Sequence, residues 1–255
     1  MEKISRKPFQ GVTNIVRFNW HFYVFAFVLV TLSLSIKQFL PPSLIIATLA
    51  LTFLILTSIT FSLAASYYIY DCSNLYTLDW LDKLNVSADA KLVNINAGFD
   101  ETSALLFQKF PTSTLTVFDF YNPTKHTEVS IERARKAYPA FPETKTINTD
   151  AIPLEKKSID IIFLLLSVHE IREARERIYF FKQLHASLKK DGKIIIVEHP
   201  RDIPNFIAFN FGFFHFHSKK IWLQAFNTAG LILTEEFKIT PFITTFILNK
   251  NEPTS

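Results

Sequence analysis

The sequence has few of the residues that stabilise small secreted or fibrous proteins. It contains one cysteine, Cys72, so no disulfide can form within the chain, as is typical of a protein in a reducing compartment. Five glycines in 255 residues exclude a collagen-like repeat, and a hydrophobic content of 49% excludes a disordered chain. Residues 1–70 hold five basic residues and one acidic residue, which accounts for the whole net charge of +4. Residues 71–255 are neutral overall and so lack the net positive charge that binds a phosphate backbone. We therefore expect no nucleic-acid partner.

Two long uncharged runs lie near the N-terminus. Nineteen residues separate Arg17 from Lys37, and thirty-three separate Lys37 from Asp71. Each run is long enough to cross a bilayer as a helix. We therefore predict an N-terminal membrane hairpin over residues 1–70, with transmembrane helices at about 20–36 and 43–66.

The basic residues before the first run predict the orientation of this hairpin. Under the positive-inside rule the N-terminus and, after two crossings, the C-terminal domain lie in the cytoplasm, which predicts a multi-pass protein of the inner cell membrane. A signal peptide is disfavoured because the first run has no small-residue cleavage site and a second apolar run follows at once. The remaining alternative is a pair of buried helices in a soluble protein. Pairing of hairpins into a homo-oligomer is compatible with this architecture.

An amphipathic lead-in over residues 71–90 precedes a domain, residues 91–250, in which strand and helix patterns alternate. This alternation predicts an α/β fold with a doubly wound, mostly parallel seven-stranded sheet, because parallel strands need helical crossovers. The last two strands have no helix between them and should pair antiparallel at an edge. The predicted strands are 91–95, 115–120, a short one near 146, 159–167, 192–198, 231–239 and 242–250. The predicted helices are 101–110, 127–138, 172–190, which Asp191-Gly192 should end, and 218–229.

Ligands of such sheets bind beyond the carboxyl ends of the strands, so the loops that follow strands are the candidate site. The first such loop contains Gly98, and Asp119 ends the second strand twenty-one positions later. An acid at about this distance from a glycine turn can accept hydrogen bonds from both hydroxyls of a ribose. Asp150 follows the third strand, and His169-Glu170 follow the fourth.

Three segments resemble class I S-adenosylmethionine-dependent methyltransferases, and the likeness covers most of residues 75–250. They are TDAIPLEKKSIDIIFLLLSVHEI, LHASLKKDGKIIIVEHPRD and WLQAFNTAGL with the two strands after it. The resemblance implies a Rossmann-like fold and S-adenosyl-L-methionine as cofactor, with Asp119 on the ribose, Asp150 on the adenine amino group and the turn at Gly98 on the methionine moiety. The residues expected to bind the cofactor are Asn94, Asn96, Ala97, Gly98, Asp100, Asp119, Asp150, Ala151 and Ser167.

The first loop departs from the family pattern, in which an acidic residue is followed by three alternating glycines. Here Asn94 stands at the acidic position, and Asn96, Gly98 and Asp100 stand at the glycine positions. Glycines let the backbone bend tightly and approach a ligand closely. Asp100 and Glu101 can instead present carboxylates to the ammonium or sulfonium of the cofactor. The alternative is a degenerate, non-catalytic domain.

The candidate catalytic residues are His169 and Glu170 after the fourth strand and His199 after the fifth. A histidine titrates near neutrality and can take a proton from a phenolic oxygen, although methyl transfer often needs only alignment of the nucleophile. His215 and His217 lie near His199 in sequence, but residues two apart point away from each other on a strand or a helix. No cysteine or helical histidine pair supports them, so we predict no metal site.

Six phenylalanines lie between residues 203 and 222, after the fifth strand: Phe206, Phe209, Phe211, Phe213, Phe214 and Phe216. Beside a membrane anchor, and followed by Lys219 and Lys220, they favour a segment that dips into the bilayer interface. The alternative is ordinary core packing. The sequence thus predicts a membrane-anchored methyltransferase whose partners are the lipid bilayer and an apolar acceptor such as a quinone precursor, a polyene or aryl pigment, or a lipid. A non-catalytic membrane-tethered binding or scaffold domain is the alternative.

Overall fold

The computed structural model describes residues 6–125 and 129–251, with every side chain in those ranges except that of Phe211. A seven-stranded sheet forms its centre. The strands are β1 Lys91–Asn96, β2 Thr114–Asp119, β3 Lys145–Thr146, β4 Ile159–Leu165, β5 Leu188–Glu198, β6 Leu231–Thr240 and β7 Ile243–Lys250. Their order is β3-β2-β1-β4-β5-β7-β6; β1 to β5 pair in parallel, and β7 pairs antiparallel with β5 and β6. The predicted fold class is confirmed, including the antiparallel final pair.

Eight α-helices accompany the sheet in the part of the chain described. They are α1 Gln10–Phe18, α2 Trp20–Ile36, α3 Pro42–Tyr67, α4 Ser103–Lys109, α5 Val129–Ala137, α6 Ala174–Ser187, α7 Ile203–Phe209 and α8 Lys219–Thr228. The helix predicted at 127–138 corresponds to α5, and its first two predicted positions lie outside the described residues.

The central strands are buried on both faces. Val93 and Ile95 of β1 belong to a core that includes Phe181 of α6 and Phe226 of α8, whose rings meet edge to face at 5.2 Å. Leu92 belongs to a second core, on α4 and the lead-in segment. Strands that are covered on both faces form continuous apolar runs in the sequence, and these runs allowed the central strands to be predicted.

The boundary between α6 and β5 differs from the prediction. The helix predicted to reach residue 190 ends at Ser187, and Leu188 already pairs with Ile159 of β4. Asp191 and Gly192 lie inside β5 beside a register shift, where a Cβ on Gly192 would approach the carbonyl oxygen of Ile159 to 2.9 Å. The glycine therefore permits close strand contact at an irregular pairing and does not end the helix.

Helix α1 was not predicted, because the residues before the first apolar run were interpreted only as its basic flank. It is held at its start by Asp71, which lies sixty residues away: the two carboxylate oxygens accept the N–H groups of Gly11 and Val12 at 2.7 and 2.8 Å. These N–H groups have no partner within a helix, so the carboxylate acts as an N-terminal cap. A Cβ on Gly11 would lie 2.3 Å from the Cβ of Tyr70, so only glycine allows this approach.

Helices α2 and α3 correspond to the two predicted transmembrane helices. The apolar stretches Trp20–Phe39 and Pro42–Cys72 are long enough to cross a membrane, with mean hydropathies of 1.7 and 2.4. Their most apolar windows are 0% and 6% buried within the protein, unlike the covered helices of a soluble core. Length and composition thus allow a membrane hairpin.

Asp71→Ala should release α1 from the end of α3. Loss of a helix cap costs about 1–2 kcal/mol, which corresponds to a roughly 5- to 30-fold larger population of the undocked helix. Trypsin cleavage after the exposed Arg17 should accelerate by the same factor, because limited proteolysis follows the open population. The exposed Asp89→Ala is the matched control and should leave the rate unchanged. An equal rate in the two variants would show that Asp71 does not hold α1.

Candidate active site

A cavity of about 280 Å³ opens at the carboxyl edge of the sheet. Its walls come from the loops after β1, β4 and β5, from α1, from α5 and from the segment that follows α3. Parallel strands bring these loops together although they are far apart in sequence. Of the predicted site residues, Ala97, His169, Glu170 and His199 line this cavity.

The loop after β1 is held by two asparagine side chains, Asn94 at the acidic position of the family pattern and Asn96 at its first glycine position. Asn96 Oδ1 accepts the N–H of Gly98 at 3.0 Å, and Asn94 Nδ2 donates to Ser103 Oγ at 2.8 Å. Gly98 has a φ of +97°, and a Cβ there would lie 2.9 Å from the ring of Tyr121. The single glycine left in the motif therefore stands where no other residue fits.

Asp100 and Glu101, adjacent in sequence, have different environments. Asp100 Oδ1 accepts the N–H groups of Thr102 and Ser103 at 3.0 and 2.9 Å, which satisfies the start of α4. Glu101 lines the cavity, and its side chain is only 13% exposed. One carboxylate is thus structural, and the other is available to the cavity.

The Glu101 carboxylate accepts hydrogen bonds from polar side chains of the N-terminal segment. Its Oε1 accepts from Arg6 Nη1 at 2.7 Å, and more weakly from Gln10 and Asn14 at 3.3 and 3.4 Å. Tyr76, beyond the hairpin, donates its hydroxyl to Oε2 at 2.8 Å. Burial and the neighbouring Glu101 carboxylate raise the pKa of Tyr76 well above its usual value, so its hydroxyl remains a donor. None of these contacts was predicted from the sequence.

Asp119, the residue predicted to bind a ribose, is buried and forms an ion pair with Arg135 of α5. Its Oδ1 also accepts the backbone N–H of Tyr121 at 2.8 Å. The Arg135 guanidinium lies 4.5 Å from the centre of the Tyr121 ring and donates to the carbonyl of Gly98 at 3.3 Å. In this arrangement an arginine therefore takes the position predicted for the ribose hydroxyls.

Asp150 and Ala151, predicted near the adenine, are exposed. Asp150 lines a second cavity of about 260 Å³, together with Phe120, Asn122 and Thr149. Neither Asp119 nor Gly98 lines either of the two cavities. Arg135 thus occupies the predicted ribose position, and Gly98, in the turn predicted to bind the methionine moiety, is covered by the Tyr121 ring and borders neither cavity. Open space remains beside Asp150, at the predicted adenine position.

His169 and Glu170 form a buried polar cluster on one wall of the first cavity. His169 Nδ1 lies 2.6 Å from Oε2 of Glu198, a fully buried residue at the end of β5, and Glu170 Oε1 lies 3.3 Å from His169 Nε2 and 2.9 Å from His215 Nε2. Burial lowers the pKa of His169, but the two carboxylates outweigh it and raise the pKa to about 10. Burial raises the pKa of Glu170, and its hydrogen bonds with the two histidines reverse the shift, so that this carboxylate stays ionised.

His199 is a neutral histidine whose two ring nitrogens both have partners. Nδ1 lies 3.0 Å from the carbonyl oxygen of Phe242, which only accepts, so this nitrogen carries the proton. Nε2 then accepts the hydroxyl of Tyr70 at 2.8 Å. Burial lowers the pKa of His199 to about 4, so the ring stays uncharged at neutral pH. Its lone pair faces Tyr70, which also lines the cavity.

The remaining predicted residues lie outside the cavity wall. Ser167 is buried and donates its hydroxyl to the carbonyl of Ile95 at 2.8 Å, which ties the end of β4 to β1. His217 is buried against Arg177, and burial followed by that positive charge lowers its pKa to about 3. The histidines at 215 and 217 therefore face different partners, as their spacing predicted. His215 joins His169 and Glu170, a grouping that spacing in sequence could not reveal.

Comparisons with known proteins show what this architecture is similar to. No protein-family model matches the chain, and no curated protein is similar to it in sequence. Among solved structures, geranyl diphosphate C-methyltransferase from Streptomyces coelicolor A3(2), crystallised with Mg²⁺, geranyl diphosphate and S-adenosyl-L-homocysteine, aligns with a TM-score of 0.51 and 12% identity over 73% of this chain and 82% of that chain.

Two further solved structures are S-adenosylmethionine-dependent methyltransferases. The Aquifex aeolicus protein aligns with a TM-score of 0.47 and 12% identity over 69% of this chain and 91% of that chain. The Methanosarcina mazei protein aligns with a TM-score of 0.47 and 14% identity over 65% of this chain and 94% of that chain. At such identities the likeness concerns the fold. The chain has the fold of the class I S-adenosylmethionine-dependent methyltransferases.

Proposed function

We propose that the protein is a membrane-anchored S-adenosylmethionine-dependent methyltransferase that acts on an apolar, membrane-partitioning acceptor. One observation carries the proposal: the cavity at the carboxyl edge of this methyltransferase fold is walled on one side by α1 and Tyr70, the two segments that flank the apolar hairpin. The candidate site and the candidate anchor therefore share residues.

The residues around the first cavity fit the amino-acid end of the cofactor. Arg6 and Glu101 offer a cation for the α-carboxylate and an anion for the α-ammonium. Close to Glu101, though not on the cavity wall itself, Arg6 Nε and Nη2, Asn96 Nδ2 and Asp100 Oδ2 are buried and have no hydrogen-bond partner among the described residues. Buried polar atoms of this kind are costly unless another group supplies a partner. S-adenosylmethionine, when bound, supplies a methyl group on a sulfonium centre.

The adenosine end fits only if one side chain moves. Asp119 and Asp150 are the predicted partners of the ribose and the adenine, and Asp119 is already paired with Arg135. The Arg135 side chain is 38% exposed and flexible, so it can leave without a change in the backbone. The ribose hydroxyls would then take over the hydrogen bonds of the Asp119 carboxylate.

The acceptor end of the cavity is largely apolar, with a few polar groups. Leu165, Leu166 and Phe216 line it beside His199 and Tyr70. Such a lining selects an apolar molecule and orients one polar atom of it. Alignment of that atom with the methyl group supplies most of what methyl transfer requires.

The phenylalanine-rich segment supports the membrane part of the proposal. Helix α7 packs along α3, and Asn210 Nδ2 donates to Ser58 Oγ of α3 at 2.8 Å. Its exposed side chains are apolar: Ile203, Phe206, Ile207 and, in the following turn, Phe214. The 26 residues of α3 extend about 39 Å, which exceeds a hydrocarbon core by about 9 Å and leaves one end of the helix to contact the domain. Tethering would hold the enzyme and a lipophilic acceptor in one thin layer.

The second candidate function is a non-catalytic, membrane-tethered binding or scaffold domain. The ion pair between Arg135 and Asp119 favours it, because a guanidinium in the ribose position closes the cofactor site. In the first function the ribose of the cofactor displaces Arg135 from Asp119; in the second, Arg135 stays paired with Asp119.

Calorimetric titration of S-adenosylmethionine and S-adenosylhomocysteine into the detergent-purified full chain tests this choice. We expect micromolar binding that Asp119→Ala abolishes. Arg135→Ala should bind up to about 5-fold more tightly, because a half-exposed ion pair of at most about 1 kcal/mol no longer has to break. Lys136→Ala, an exposed neighbour on the same helix, should match the unaltered protein. Absence of binding at millimolar cofactor by a folded protein would favour the scaffold function.

The membrane arrangement predicts that the protein stays in the pellet on carbonate extraction and that α7 lies at lipid depth. In a Cys72→Ser background, a fluorophore on Phe206→Cys should be quenched by spin-labelled lipids in reconstituted vesicles. The same label on Thr112→Cys, an exposed position at the opposite edge of the sheet, should remain bright. Release by carbonate, or equal fluorescence at the two positions, would contradict this arrangement.

A further inference from the structure

On the wall of the first cavity, three side chains lie close together and carry atoms that can bind a metal ion. His169 and Glu170 follow β4, and His215 ends the turn after α7; each offers one ligand atom, and these atoms all lie within 4.8 Å of one another. All three residues line the cavity, so a bound ion would keep open positions towards it. Two imidazoles and one carboxylate with open positions are the donor set of catalytic zinc and of non-haem iron.

The residues behind the cluster orient His169 for ligation. Glu198 is fully buried, and its two oxygens meet the ring Nδ1 of His169 at 2.6 Å and its backbone N–H at 3.1 Å. Because a carboxylate accepts hydrogen bonds, Nδ1 keeps its proton and Nε2 is directed at Glu170. A carboxylate behind a histidine is the arrangement that fixes the ring and raises its basicity in metal sites.

A cation bound to the cluster would replace a proton. Glu170 and Glu198 contribute two negative charges; Arg172, which contacts the His215 ring and donates to its carbonyl at 2.6 Å, and the ring of His169 contribute two positive charges. A metal ion at His169 Nε2 would displace the proton that this nitrogen shares with Glu170. Two carboxylates held at 6% and 0% exposure need positive charge nearby.

We propose that His169 Nε2, Glu170 Oε1 and His215 Nε2 bind one divalent first-row transition-metal ion, with Glu198 as the outer partner of His169. This assigns His169 and Glu170 to metal ligation instead of proton transfer. It also replaces the prediction of no metal site, which had considered only His199, His215 and His217.

The ion gives the cavity a preference among acceptors, and this consequence rests on the proposed methyltransferase function. Its open positions favour an oxygen ligand, so the acceptor would be an apolar molecule that carries a phenolic or enolic hydroxyl. A cation beside that oxygen stabilises its ionised form and fixes its position. The hydroxyl-bearing end would then lie at the polar wall and the apolar remainder along Phe216.

The test is equilibrium dialysis of the full chain in detergent, stripped with a chelator, against Zn²⁺ and separately Mn²⁺, with the metal content measured by mass spectrometry. We expect one ion per chain and loss of binding in Glu170→Gln and His215→Ala. Glu198→Gln should weaken binding by about 10- to 100-fold, as loss of an outer partner does. His185→Ala, which removes a histidine beside Gly230 and away from the cavity, should bind normally.

Spectroscopy and cofactor titration separate the remaining outcomes. The d–d absorption of bound Co²⁺ should report a site with histidine ligands and should disappear in His215→Ala, whose fold is checked by circular dichroism. Binding that survives in both ligand variants, or no stoichiometric binding by the unaltered chain, would overturn the metal site. Cofactor binding without metal binding would refute this inference and leave the proposed function standing, and metal binding without cofactor binding would do the reverse.

Discussion

The arrangement of the candidate site depends on the hydrogen bonds of the partly buried carboxylate of Glu101. It accepts hydrogen bonds from Arg6 ahead of the hairpin and from Tyr76 beyond it, so one side chain joins both flanks of the hairpin to the loop after β1. The side chains of Arg6 and Glu101 are 17% and 13% exposed, so removing one of them would leave the other charge poorly solvated and unpaired. The same contacts place α1 over the carboxyl edge of the sheet and give the cavity one of its walls.

The strands could be predicted from the sequence because their signal is local. A parallel strand covered on both faces is a short apolar run, as in β4 and β5, and its loops lie at the carboxyl edge by topology alone. The predicted start of β5, at residue 192, was wrong because Leu188 already pairs with Ile159 and the helix ends before it. The hydrophobic pattern of residues 172–190 carries no information about this strand pairing. Local periodicity therefore identifies a helix or strand more accurately than it identifies the residue at which that element ends.

The side-chain contacts of the site were harder to predict, since they join residues distant in sequence. Gly11, Asn14 and Phe18 do form a buried stripe at helical spacing, and that stripe could have identified α1. The position of Arg135 on Asp119 and that of His215 beside Glu170 have no comparable signal. Motif resemblance pointed to Asp119, which ends β2, but it could not show that this carboxylate already has a cationic partner. The departures from the family's glycine pattern became interpretable only when the asparagine side chains were seen to hold the loop.

The hydrogen bond between Asn210 and Ser58 connects the cavity to the hairpin mechanically. Helix α7 and the turn that carries His215 and Phe216 are attached through it to α3. A helix longer than the hydrocarbon thickness adjusts to its surroundings by tilting. In the proposed membrane arrangement, a change in lipid chain length would tilt α3 and, through this bond, shift the cavity wall. The thickness of the bilayer would then act as an effector of the enzyme, without any molecule binding to a regulatory site.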